Sequence, residues 1–356
     1  MDYLILVINP GSTSTKVAIY LNEKQIIEKT LRHDVDELKQ FKTIIDQTDF
    51  RKEIILDFIK EHDYKLEDFD VFVGRGGMMK PVKNGGTYLV TKDMLRDLKS
   101  GDYGYHASNL GAILADSFAK VRNRPAYIVN PVCIDEFEDI SRISGQKLFS
   151  RRSLFHALNQ KAIARSFADE INKEYEELNL IVAHLGGGIS VGLHKLGRVI
   201  DCNNALGGDG PFSPERTGTI PTYPLVDICF SGEYTKEEVK KLLVGKGGLV
   251  SYLDTNDARE IEKKVLAGDE YAKLHYEAMA YNVVKEIGSL YFANGGKIDA
   301  VLITGGIAYS DHFINFIKEK IESIIKVKVY PGEDEMRALA EGAMRVLTKK
   351  EKSQVY

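Results

Sequence analysis

Short apolar runs alternate along the chain with longer stretches in which apolar residues recur at helical spacing. Residues 4–8 read as a buried strand, with 17–20 as its partner across a turn of Gly, Ser and Thr. Further strands are predicted at 71–73, 126–129, 180–184, 191–194, 199–202 and 300–304. Helices are predicted at 50–61, where Ile54, Ile55, Phe58 and Ile59 share a face, and at 159–178, 271–292, 311–325 and 336–350. Strands interleaved with helices argue an α/β fold. The closing basic run, Lys349 to Lys352, reads as a solvated, frayed end.

One strand–turn–strand design occurs twice. Asn9-Pro10-Gly11-Ser12-Thr13-Ser14-Thr15-Lys16 follows the first apolar run, and His184-Leu185-Gly186-Gly187-Gly188 follows another about half the chain later. Such a repeat predicts two similar domains with a ligand in the cleft between them. Small-residue turns expose consecutive backbone N–H groups that can cradle phosphate oxygens. Ser12 and Ser14 add hydroxyls, Lys16 a charge, and Asn9 can approach a metal or its waters. A third small-residue turn, Thr304-Gly305-Gly306-Ile307-Ala308, closes another buried run. Neither the P-loop spacing nor a dinucleotide-binding Gly-x-Gly-x-x-Gly occurs in these turns.

Composition narrows the class. The 356 residues carry a formal net charge of −4, which disfavours sequence-independent nucleic-acid binding. The three cysteines, Cys133, Cys202 and Cys229, form no Cys-x-x-Cys and predict neither a disulfide framework nor a zinc ribbon. No apolar run approaches the ~20 residues of a membrane span. The expectation is a cytoplasmic globular protein without membrane or nucleic-acid partners.

Charged side chains in loops supply the candidate chemistry. Arg75, in Gly74-Arg75-Gly76-Gly77, and Arg216, in Pro214-Glu215-Arg216-Thr217-Gly218, can hold a phosphate or carboxylate. His156 opens a helix, and His184 ends a strand beside three glycines. His106 reads by pattern as an N-terminal helix residue, and His33, His62, His194, His275 and His312 as structural. Asp334 and Glu335 precede the last helix, where acidic residues complement the helix dipole and could also serve Mg²⁺ through water.

These motifs resemble the acetate and butyrate kinase family of the sugar kinase/Hsp70/actin superfamily, over essentially the whole chain. Residues 9–16 resemble its first phosphate loop, 183–188 its second, and 303–308 its adenosine loop. The form of 9–16 and of the 74–87 block looks like the butyrate kinases in particular. The resemblance implies two duplicated ribonuclease H-like lobes with a nucleotide cleft between them. Residues 1–150 would form the acyl side, with the helix 336–356 packing back on it, and 151–335 the nucleotide side. It implies Arg75, His156 and Arg216 as catalytic. It implies Asn9, Ser12, Ser14, Lys16, His184, Gly186, Gly187, Gly188, Asp257, Gly305, Gly306 and Ile307 at the nucleotide. Arg75, His106, Asn109 and Asn130 would line the acyl side, and Asn9, Asp334 and Glu335 would serve Mg²⁺ brought with ATP or ADP. A homodimer or higher homo-oligomer is the family expectation.

Two positions depart from the pattern. Gly187 stands where acetate kinases carry Asn, and Asn130 where an Asp is expected, with Asp135 a weaker replacement. The implied reaction joins ATP and a short-chain carboxylate, with butanoate favoured, to give acyl phosphate and ADP. Branched acids, propionate and acetate are the alternatives. A sugar kinase, or a nucleotide switch of the Hsp70/actin type, is the reading outside this class. A carboxylate is ionised at pH 7 and needs no base, so catalysis reduces to positioning and screening two anions.

Overall fold

The computed structural model describes residues 2–356. Its strands run, in chain order, β1 (Leu4–Pro10), β2 (Ser14–Leu21), β3 (Lys24–Arg32), β4 (Val71–Arg75), β5 (Thr87–Leu89), β6 (Ala126–Val129), β7 (Asn179–Leu185), β8 (Ile189–Lys195), β9 (Arg198–Cys202), β10 (Ala300–Gly305), β11 (Val327–Pro331) and β12 (Gln354–Val355). The chain divides into two units: Asp2 to Ile134 with Asp334–Tyr356, and Asp135–Glu333.

The first unit is built on a mixed sheet of order β12-β5-β6-β4-β1-β2-β3. The β1–β2 hairpin pairs Asn9 with Lys16 and Pro10 with Thr15, so the Gly11–Thr13 turn stands at the sheet's end. β4 runs parallel to β1, which brings Arg75 out at the same end. β1 and β4 are almost wholly buried, as the apolar runs require of central strands. Helix Asn109–Ala119 packs on β4 without a side chain between them. A Cβ on Gly74 would overlap the Gly111 carbonyl oxygen, and one on Gly111 would overlap the Arg75 carbonyl oxygen. The final helix, Glu335–Leu347, packs on β1, β4 and β6.

The second unit repeats the core in a sheet of order β11-β10-β7-β8-β9. β7 and β8 form the hairpin around Gly186–Gly188, and β10 runs parallel to β7, as β4 does to β1. Helix Glu270–Ala293 supplies Tyr276, Met279, Val283 and Ile287 to the apolar core beneath this sheet. The fold is α/β, with the same five-strand order in both units.

Two sequence expectations are corrected. The helix expected over 159–178 runs only from Ala157 to Glu170, because Asn172 turns into the left-handed region (φ 53) and a short 3-10 turn, Tyr175–Glu177, follows. The closing segment is also tied down rather than frayed. Glu351 accepts from the Thr87 N–H at 2.7 Å and from Arg345 Nε at 2.9 Å, β12 pairs with β5, and the Tyr356 hydroxyl donates to Asp97 at 2.7 Å. Among the described residues, no helix is long and apolar enough to cross a membrane.

Candidate functional site

In the first unit the site forms where β1, β4 and the last helix begin or end together. Arg75 donates through Nη1 to Glu335 Oε2, and the same oxygen accepts from Asn9 Nδ2 at 2.7 Å. Asn9 Oδ1 lies 3.5 Å from the guanidinium. The segment after Arg75 is held by Asn109, whose Oδ1 accepts from Met78 N–H at 2.8 Å. Asn109 Nδ2 donates to Leu98 and Gly104 carbonyls, each at 3.1 Å, so its amide is used wholly on backbone. A Cβ on Gly77 would strike Asn109, which explains the glycines around Arg75 as steric necessities.

Other first-unit residues hold structural partners. Asn130 sits in the left-handed region (φ 40) and accepts from Gly86 N–H at 2.7 Å, tying down that loop. His106 is exposed, with Nδ1 2.8 Å from Ser108 Oγ. Lys16 pairs with Glu28 at 3.4 Å and is half-buried. Asp334 caps the last helix by accepting from Arg337 N–H at 3.1 Å.

In the second unit, Arg216 lies across the glycine turn. A Cβ on Gly188 would overlap its Nη1. Nη1 donates to the Ala205 carbonyl at 2.6 Å, Glu215 stands 4.0 Å from Nη2, and Nε is buried with no hydrogen-bond partner. Burial lowers the Arg216 pKa, with Glu215 opposing, and it remains a cation at neutral pH. Ser213 Oγ donates to the Gly187 carbonyl at 2.7 Å and fixes the turn from the same loop.

Beside the turn, the rings of His156 and His184 stack 3.8 Å apart. His184 Nδ1 donates to Asn159 Oδ1 at 2.8 Å, which aims Nε2 at Glu333, 3.3 Å away. His156 is set by a buried relay. Gln160 Nε2 donates to the Ser190 carbonyl at 3.0 Å and to Ser190 Oγ at 2.8 Å. Gln160 Oε1 therefore accepts from His194 Nε2 at 2.9 Å, and His194 Nδ1 accepts from the Tyr175 hydroxyl at 2.7 Å. Burial keeps this His194 neutral and its pKa well below the usual value. Ser190 Oγ, which accepts from Gln160, lies 2.8 Å from His156 Nδ1 and holds that ring in place.

At the third turn, Gly305 (φ 95) presses on β7, where a Cβ would overlap the Leu185 carbonyl oxygen. Around Gly306 there is open space, and the Ile307 side chain is buried in the core, leaving its backbone for any ligand. Asp257 caps helix Ala258–Leu266 and bonds Arg259, whose contacts hold the carboxylate at a pKa of about 2. Asp135 pairs with Arg142 at 2.6 Å.

Several participants carried no sequence signal. Gln160, Asn159, Ser190 and Ser213 are not singled out in the sequence, whereas Glu333 belongs to the acidic stretch before the last helix. Arg51, fully buried beneath the first turn, is not singled out in the sequence either, although it shares the face of Ile54, Ile55 and Phe58.

The acetokinase family pattern matches residues 139–355. Among solved structures, the acetate kinase of Porphyromonas gingivalis superposes with a TM-score of 0.79 at 17% identity, covering 97% of this chain and 100% of the other. The acetate kinase of Entamoeba histolytica gives 0.76 at 16%, covering 95% and 98%. A propionate kinase from Francisella tularensis gives 0.75 at 20%, covering 96% and 98%. At these identities the likeness speaks for the fold.

Proposed function

The chain belongs to the acetokinase family, phosphotransferases with a carboxyl group as acceptor, and from this premise we propose that it transfers the ATP γ-phosphoryl group reversibly to butanoate. The observation that carries the proposal is the half-buried Arg216 guanidinium laid over Gly188, with its buried Nε–H unmet and a His156 ring held by Ser190 in the same unit. Such donors suit a phosphoryl group that spreads its charge over equatorial oxygens in the transition state. The carboxylate nucleophile is ionised at neutral pH, so no carboxylate base is required and Asn130 is compatible with turnover. Arg216 and Arg75 screen the two anions, and His156 contacts the transferring phosphoryl group. Backbone amides of 11–14, 186–188 and 305–307 take the nucleotide, with Ser12, Ser14, Lys16, His184 and Asp257 around it. His106, Asn109 and Asn130 form the acyl side, Asn109 by holding the segment after Arg75.

Magnesium enters with the nucleotide. Among the described residues, no group of three His, Cys, Asp or Glu could hold a metal by itself. The donor set of Asn9, Glu335 and Asp334 instead fits an ion that keeps water and phosphate oxygens as most of its ligands. Bound there, Mg²⁺ would neutralise phosphate charge. The chain's own part is to keep Glu335 placed between Asn9 and Arg75.

Butanoate is preferred over acetate or propionate on the form of residues 9–16 and 74–87. The test is a panel of straight and branched acids with MgATP, scored as acyl hydroxamate. One methylene is worth ~1–3 kcal/mol in an apolar pocket. The expected result is highest kcat/KM with butanoate. Highest kcat/KM with acetate would reassign the acceptor, and no hydroxamate from any acid would sink the proposal. We also propose a cytoplasmic homo-oligomer. The free thiols Cys133, Cys202 and Cys229 suit a reducing compartment. Helix Thr222–Phe230 buries none of its residues and leaves Tyr223 and Phe230 85% and 86% exposed, an apolar surface suited to a second copy.

A further inference from the structure

Arg51, on helix Thr48–Glu61, is fully buried under the first turn. Nη1 donates to the carbonyls of Gly11 and Ser14 at 2.8 and 3.0 Å and to Thr15 Oγ1 at 3.1 Å. Nη2 donates to the Ser12 carbonyl at 3.1 Å and to Gln47 Oε1 at 2.8 Å, and Nε donates to the same Gln47 oxygen at 3.1 Å. Every acceptor is neutral. Burial lowers the pKa to about 10, so the group stays charged at pH 7. Its neighbour His33, 2.9 Å from Thr15 Oγ1, is kept neutral by burial and by Arg51 itself. An ionised group buried without a counter-ion is costly, and such a site calls for a compensating role.

Peptide geometry supplies that role. In a trans peptide the carbonyl of one residue and the N–H of the next point to opposite sides. Drawing the Gly11 and Ser12 carbonyls down onto Arg51 therefore turns the Ser12 and Thr13 N–H groups away from it. Among the described residues, neither N–H has an intramolecular acceptor. We propose that Arg51 is a positioning residue for polyphosphate: its fork turns the Ser12 and Thr13 amides outward as an anion nest, and its unmatched charge is the counter-charge that an arriving phosphate meets through the loop. This rests on reading residues 9–16 as a phosphate loop and adds to it the device that holds the loop open.

The test uses the full chain, with Mg²⁺ tripolyphosphate as a binding probe and ATP as substrate. Arg51→Lys keeps the charge and loses the fork. The expected result is unchanged circular dichroism, tripolyphosphate affinity weakened ~10-fold or more, a parallel rise in KM for ATP, and a KM for the carboxylate within ~2-fold of wild type. A folded variant with wild-type affinity overturns the proposal. So does an equal rise in both KM values, or a loss of stability with both unchanged, because a purely structural residue behaves that way. If Arg51→Lys does not fold, Gln47→Leu removes the acceptor of Nε and Nη2 while leaving the loop's bonds to Nη1. A ~3-fold weaker probe affinity is expected there, and none overturns the proposal. Wild-type protein that binds tripolyphosphate but makes no acyl hydroxamate would defeat the kinase reading and leave this inference standing. Wild-type protein that binds no tripolyphosphate defeats the inference.

Discussion

The two glycine hairpins share one design and are shaped from opposite sides. The first turn is organised from within: Arg51 gathers three loop carbonyls from a fully buried position. The second is organised from without: Arg216 lies over Gly188 and Ser213 holds Gly187. In one turn the cation is fully buried beneath the loop, and in the other it lies over the glycines and is partly exposed. A duplicated backbone thus carries the same turn twice, and the side chains packed on it decide from which side a cation approaches.

The largest expected effects test the second turn. Arg216→Ala removes the guanidinium and Gly188→Ala adds a methyl that displaces it, so each should lower kcat at least ~100-fold in the hydroxamate assay. The double variant should be no worse than the poorer single, since both remove one interaction. Near-normal turnover in Gly188→Ala would detach the turn from Arg216. In the first unit, Arg75→Ala should also cost ~100-fold in kcat. Glu335→Gln should cost ~10-fold and raise the Mg²⁺ concentration for half-maximal rate, and an unchanged magnesium titration would remove Glu335 from the metal.

The interior of the first turn should register in stability. Burial and then Arg51 lower the His33 pKa from 6.5 to about 4. The unfolded chain therefore takes up a proton between those values that the fold refuses. Stability is full above pH 6.5 and falls by roughly 3 kcal/mol as the pH drops to 4. Urea titrations across this range should show a shallower fall in His33→Asn, and parallel curves would discard the account. The smallest effect belongs to Asp257→Asn. If the carboxylate serves only helix Ala258–Leu266 and Arg259, melting temperature drops slightly and KM for ATP stays put. A raised KM would make Asp257 a nucleotide contact.

The alternation of strands and helices was legible because β1, β4, β7 and β10 are buried on both faces and read as plain apolar runs. β3 was not, since nearly all its side chains face solvent and it lacks a strand's apolar signature. Within the site, glycines and loop arginines announced themselves by composition. Gln160 did not, because a buried polar residue on a helix looks like a surface residue until tertiary contacts show which way the helix is turned, and Arg51, though in line with the apolar face of 50–61, gave no hint of the loop carbonyls it holds. The glycines beside Arg75 drew notice as neighbours of a ligand-holding arginine, whereas Gly74 and Gly77 are required by the helix pressed against them.

That contact has a consequence of its own. Where Gly74 meets Gly111, two main chains touch with nothing compressible in between, so strand and helix behave as a single slab. Any adjustment of Arg75 toward an incoming anion must come from its own side-chain torsions, and evolution can retune that reach only by exchanging the partner carboxylate, not by shifting the platform.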